Sequence, residues 1–139
     1  MEADGISTSV NLPGVEARDV SSMNRSFITS VQDLRRDHTV KFTFKREGIS
    51  RDGFVALFEK EIVAYENLCR HIPLTIDYGD NRFFTRDGRH FVCQTHGAIY
   101  EPLSGLCVRG PCEGASLHRL KIEVREGNIY LLEEAAPNI

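Results

Sequence analysis

Cys69-Arg70-His71 and Cys93-Gln94-Thr95-His96 are the stretches of this chain whose residue types can do chemistry together. Each offers one thiolate and one imidazole, two or three positions apart, with residues 72–92 between them. Spacing this short makes each pair a tight loop, and the intervening chain has to bring the two loops together. Two cysteines and two histidines can close a metal site. Two occupants suit that donor set: a single tetrahedral zinc ion, or a two-iron, two-sulfide cluster with both cysteines on one iron and both histidines on the other. Zinc spacings commonly pair like with like, whereas here each loop mixes a Cys with a His.

The residues after the second loop narrow the choice. His96-Gly97 leads into Ala98-Ile99-Tyr100-Glu101-Pro102, then Ser104-Gly105-Leu106-Cys107 and Gly110-Pro111-Cys112. With C-x-H, C-x-x-H-G, an aromatic, a Gly turn and a Gly-Pro in that order, the chain from about Ser26 to Leu132 resembles the Rieske 2Fe-2S family. The resemblance implies that Cys69, His71, Cys93 and His96 ligate the cluster. It implies that Gly97 permits a close approach of backbone to sulfide, and that Gly110-Pro111 belongs to a third loop covering the cluster. Arg70, between the two ligands of the first loop, is placed either to meet an acidic partner or simply to be solvated. Each histidine is expected to bind iron through one nitrogen and to turn the other to solvent. Reduction should then be linked to proton uptake at alkaline pH.

Departures from the family pattern are as informative as the matches. High-potential members carry a Ser two residues, and a Tyr four residues, after the second histidine. Here those positions are Ala98 and Tyr100, so one donor is missing and one is present. Respiratory-type members cross-link the two loops with an extra cysteine pair, but the corresponding positions are Leu74 and Thr95. The resemblance is therefore to the ferredoxin-type branch. It implies a potential in the lower half of the range of about −150 to +300 mV that Rieske centres span. Cys107 and Cys112 are expected to be reduced and partly buried beside the Gly-Pro segment, with a disulfide or a second redox role as the alternative.

The elements that must hold these loops read as strands. Ser26–Val31 is β-branched and aromatic. Gln32–Asp37 reads as a turn. Val40-Lys41-Phe42-Thr43-Phe44-Lys45 alternates with the period of a half-buried strand. Gly48 and Asp52-Gly53 suggest turns. Phe54–Phe58 and Ile62–Tyr65 flank a tight connection at Glu59-Lys60-Glu61 and run directly into the first ligand loop. Asp87-Gly88 marks a hairpin delivering the second, and Asp77–Asn81 reads as a surface loop, with Asp77 and Asp80 as surface charges. A Leu106–Val108 strand and a last hairpin, residues 117–124 and 128–132, complete the chain. His38, His90 and His118 belong to no paired loop and read as surface or structural. No segment shows helical periodicity over ten residues, so the expectation is all-β, a sandwich or barrel. The resemblance implies an antiparallel base with a small cluster-binding subdomain inserted at about 68–103. The domain is expected over 25–134, with residues 1–24 a flexible tail and 135–139 a short C-terminal one.

With 139 residues, 41% hydrophobic and 27% charged, the chain suits one soluble domain. A net charge of −3 without a basic run argues against nucleic acid and anionic membrane as partners. No apolar run is long enough to span a bilayer, and Met1-Glu2-Ala3-Asp4 is acidic rather than signal-like. The expected location is the cytoplasm, where cysteines serve metals more often than disulfides. There is no dinucleotide fingerprint and no sign of a mononuclear iron site of two histidines and a carboxylate. Such a chain is expected not to be an enzyme by itself but a one-electron carrier between a reductase and an oxygenase or similar acceptor. Two other readings remain: an accessory subunit of a larger oxidoreductase, and a zinc-stabilised interaction module.

Overall fold

Strand after strand in this chain is held by side chains that alternate between two destinations, and the clearest case is the pair leading to the first ligand loop. The computed structural model describes residues 10–11, 23–70, 74–77 and 79–134. Its elements run β1 (Val10–Asn11), β2 (Met23–Ser30), α1 (Val31–Asp37), β3 (Thr39–Arg46), β4 (Ile49–Phe58), β5 (Glu61–Glu66), β6 (Phe91–Val92), β7 (Ile99–Tyr100), β8 (Cys107–Arg109), β9 (Ile122–Arg125) and β10 (Asn128–Glu134). They form three antiparallel sheets, ordered β1-β9-β10-β2, β3-β4-β5 and β6-β7-β8. The fold is the expected all-β one.

In the middle sheet, β3-β4-β5, residues 53–56 of β4 and 62–66 of β5 are buried on both sides. Val55, Ile62 and Ala64 join Leu34, Phe44, Leu120, Ile122, Val124, Ile129 and Leu131 in one core, against the β9-β10 sheet. Their neighbours Phe54, Ala56, Val63 and Tyr65 point the other way, into a second core with Phe83, Phe91, Ala98, Tyr100 and the sulfurs of Cys69, Cys93 and Cys107. Burial on two faces explains why β4 and β5 read as nearly continuous apolar runs, since neither face can be polar. Phe54 is the hub of the second core: its ring stacks on Phe83 at 4.1 Å and meets Phe91 edge-on at 5.3 Å. Residues 118–120 continue the middle sheet, because Glu66 N–H donates to the His118 carbonyl and Leu120 N–H to Ala64. That segment leads into β9, so the base is partly closed on itself like a barrel.

Three expectations need correction. Gln32–Asp37 is not a turn but part of a seven-residue helix, α1. Ser30 caps it, its hydroxyl accepting from Asp33 N–H at 3.0 Å, and His38 closes it with φ 69. At seven residues, just under two turns, it is too short to display a helical period. Asp52-Gly53 is not a turn either. Gly53 lies inside β4, where a Cβ would stand 2.6 Å from the Phe42 ring, so glycine is there to let that ring and Leu120 close over the strand. The Asp77–Asn81 segment is not wholly surface: Asp77 is buried and Asn81 half-buried, leaving Gly79 and Asp80 exposed. The small sheet also runs past Leu103, because β8 pairs with β7. Most of the expected tail, residues 1–24, lies outside the described residues, as do residues 135–139; within the described part, β1 pairs with β9 and β2 begins at Met23.

Replacing the hub should test this two-core arrangement. Phe54→Ala is expected to cost about 3–5 kcal/mol, measured as a drop in the denaturant midpoint, because it opens the core beneath both cysteine loops.

Candidate metal centre

Both loops are closed in the same way. Cys69 N–H donates to the Leu74 carbonyl at 2.8 Å, and Cys93 N–H to the Ala98 carbonyl at 2.8 Å. In each case the cysteine sits at the base of its loop, its backbone fixed and its sulfur turned into the core, with Cys69 3% and Cys93 0% exposed. Gly97 tightens the second loop, its N–H donating to the Cys93 carbonyl at 2.9 Å from a left-handed φ of 77. A Cβ on Gly97 would meet no protein atom within 4 Å, so its conformation, rather than crowding by protein, calls for glycine. Gln94 N–H donates to the Ile76 carbonyl at 2.9 Å, which ties the second loop to the chain returning from the first.

A buried polar knot fixes the first loop from below. Asn67 accepts from Ile76 N–H at 2.8 Å and donates to Asp77 at 3.1 Å. Asp77 also accepts from Lys41 Nζ at 2.9 Å and from Asn81 N–H at 2.8 Å. β3, the first loop and the segment between the loops therefore share one carboxylate. This residue was expected as a surface charge; instead it is buried and engaged on three sides. Burial opposes its ionisation, but Asn67, Lys41 and the Asn81 amide outweigh that and hold its carboxyl below the usual range.

The third loop lies over the second. Gly110 has φ 107, and a Cβ there would stand 2.9 Å from Ala98 Cα, so only glycine lets this loop close down onto the ligand segment. Ala98 is fully buried beneath it, while Pro111 is exposed. Tyr100, also fully buried, brings its hydroxyl between the loops. It accepts from Arg70 N–H at 3.0 Å and lies 3.5 Å from Cys69 Sγ and 3.1 Å from Cys112 Sγ. Burial first, then the cysteine contacts, push its titration far above the ordinary tyrosine value. The Arg70 guanidinium is exposed but donates to the Ser116 carbonyl at 2.6 Å, so it braces the segment after the third loop. Tyr65 anchors this unit to the base: its hydroxyl donates to the Pro102 carbonyl at 2.7 Å, and burial pushes its pKa up to about 12.

Of the four expected donors, the structure brings the Cys69 and Cys93 sulfurs together and leaves His96 exposed on the second loop. His71 lies outside the described residues, and among the described residues no group of three or more such side chains gathers. The two buried sulfurs nevertheless suit a metal cluster. Burial pushes the Cys93 thiol up, as does the Cys69 sulfur against it, while the backbone N–H groups of Thr95 and His96 aim at Cys93 and favour its thiolate. Amide donors aimed at a buried sulfur beside a second sulfur make a place for metal-bound thiolates.

The chain matches the Rieske [2Fe-2S] domain family over residues 24–129. It belongs to that family. The cofactor is accordingly a Rieske-type 2Fe-2S cluster. Among solved structures, a chain from the complex of reduced oxygenase and oxidized ferredoxin in carbazole 1,9a-dioxygenase is similar, with TM-score 0.61 and 22% identity over 82% of this chain and 97% of that one. The ferredoxin of carbazole 1,9a-dioxygenase from Nocardioides aromaticivorans IC177 gives 0.59 and 18%, covering 81% and 99%. The Sphingomonas yanoikuyae B1 ferredoxin gives 0.61 and 18%, covering 79% and 99%. These likenesses are of fold. No curated protein sequence matches the chain. Among the described residues no helix is long and apolar enough to cross a membrane.

The polar knot under the first loop gives a pH-dependent prediction. A carboxyl held low in the folded Rieske chain stabilises it fully above the unfolded value of about 3.9, and that contribution is lost as pH falls through the lower folded value. Asp77→Asn is therefore expected to cost about 1–3 kcal/mol at pH 7 and progressively less below about pH 4, read from urea midpoints of the two proteins across that range.

Proposed function

We propose that this chain is a one-electron carrier that takes electrons from a reductase and passes them to an oxygenase or a similar oxidoreductase. The observation that supports it best is architectural. A family domain built around a 2Fe-2S cluster occupies residues 24–129. The solved chains it resembles along almost their whole length include the ferredoxins of carbazole 1,9a-dioxygenase and of Sphingomonas yanoikuyae. One of them stands in a complex between an oxygenase and a ferredoxin. On this reading the protein is not an enzyme by itself.

The ligand set belongs to the same proposal: Cys69 and Cys93 on one iron, His71 and His96 on the other. A Rieske cluster supplies one exchangeable electron, at a potential raised by replacing two thiolates with neutral imidazoles. The chain's own residues then set its surroundings. Cys93 is screened by core and by the Thr95 and His96 amides, whereas His96 is exposed, so its imidazole would be the edge of the bound cluster turned toward a partner. Gly110 closes over buried Ala98, and the Tyr100 hydroxyl can donate toward Cys69. Exposed Leu74, Leu103, Leu106 and Val108 leave apolar surface on the unit that carries the loops. That suits the small, transient contacts of a shuttle. We place the domain at 25–134, with the cluster-binding unit inserted between β5 and β9, and the protein in the cytoplasm. Support for that location is the use of cysteines as thiols and ligands rather than as disulfide staples.

Stopped-flow mixing tests the role. Dithionite-reduced protein, freed of excess reductant, should be reoxidised by a Rieske oxygenase component within seconds and should show no turnover of aromatic substrate alone. Failure to pass electrons to any such component, with the cluster spectrum intact, would sink the reading.

A further inference from the structure

Cys107 and Cys112 stand outside the ligand set, yet they form a chain of contacts that ends at it. Cys107 is buried at the start of β8 and Cys112 is half-buried in the third loop, with Cys112 Sγ 3.2 Å from Cys107 Sγ. The turn between them is pinned on both sides: Gly114 N–H donates to the Cys107 carbonyl at 3.0 Å, and Cys107 N–H to the Ala115 carbonyl at 2.7 Å. A disulfide would require the sulfurs to approach by only about 1 Å. The backbone already holds them face to face, so little chain entropy would be lost.

Their protons are ordered in one direction. Cys107 donates to the Arg109 carbonyl at 3.3 Å and Cys112 donates to Cys107. Cys112 therefore meets Tyr100 as an acceptor, at 3.1 Å. The Tyr100 hydroxyl has one proton and two sulfurs in reach, Cys112 and the more distant Cys69. Arg70 N–H occupies its acceptor side.

We propose that Cys107 and Cys112 are a reversible dithiol–disulfide couple whose state is passed to Cys69 through the single proton of Tyr100. The oxidant is a small-molecule disulfide of the glutathione class. The more exposed Cys112 thiolate attacks one sulfur of the reagent and expels one thiol, leaving a mixed disulfide. The Cys107 thiolate then attacks Cys112 Sγ and expels the second. One reagent S–S bond and two protein S–H bonds are consumed. One protein S–S bond and two reagent thiols are formed, and they carry the two protons and the electron pair. Burial pushes Cys107 up to about 11, with Cys112 as the second cause, consistent with entry at Cys112. Once bonded, Cys112 is drawn toward Cys107 and is a poorer acceptor, so the tyrosine proton turns to Cys69. A stronger hydrogen bond to a ligand sulfur raises the cluster potential. The shift rests on the proposed ligand role of Cys69; the cross-link itself does not.

The test uses the cluster-loaded protein, its visible spectrum recorded before and after anaerobic treatment with oxidised glutathione. Trypsin cutting after Arg89, Arg109 and Arg119 separates residues 90–109 from 110–119. These peptides should stay joined after treatment, come apart with dithiothreitol, and fail to join in Cys107→Ser, which excludes Cys93 as the partner. The midpoint potential should move up when the link forms, and should not move on linking in Tyr100→Phe. Absence of the link, or a stable glutathione adduct on Cys112 in its place, would overturn the couple. A link with an unmoved potential would overturn the relay through Tyr100. Neither result bears on delivery of electrons to an oxygenase, which is read separately by reoxidation kinetics.

Discussion

Two sulfurs share one pocket of a hydrophobic core, and much of the surrounding structure serves to keep them there. Cys69 and Cys93 come from loops far apart in the chain, and burial beside the other sulfur disfavours the Cys93 thiolate unless something takes up its charge. The protein confines them through backbone hydrogen bonds, Cys69 to Leu74 and Cys93 to Ala98, rather than through a disulfide staple. On the second loop His96, by contrast, is exposed.

The middle sheet is what makes the pocket possible. β4 and β5 carry apolar side chains to both faces, one set sealing the barrel-like base and the other forming the floor under the loops. Phe54, Phe83 and Phe91 interlock in that floor, and Tyr65 ties it to the far end of the small sheet at Pro102. The cluster-binding unit is thus continuous with the core of the base. The Asp77 knot adds a polar brace to the same junction, linking β3 to the first loop through Lys41 and Asn67.

How much of this was legible in the sequence depends on the range of the interaction. The Cys/His loops declare themselves because their donors lie two or three residues apart. The hairpin at Asp87-Gly88 is visible because glycine is the local cause of the turn. Where a turn is imposed by the sheet instead, as at Glu59-Lys60 with both φ values positive and no glycine, residue type gives no warning beyond the flanking apolar runs. Gly53 misleads for the opposite reason: it serves a ring packed across the strand, not a turn. The helix α1 hides because its seven residues leave only the Ser30 cap and the basic last turn as signals. Asp77 and the thiol pair Cys107 and Cys112 acquire their partners only through folding, so no spacing rule could announce them.

Iron and acid-labile sulfide counted on anaerobically purified protein address the donor set most directly. Two irons and two sulfides per chain, in a red-brown protein whose visible bands bleach with dithionite, are expected, with loss of both when Cys93 is replaced by Ser. A folded, colourless protein with stoichiometric zinc, or with neither iron nor sulfide, would contradict the account.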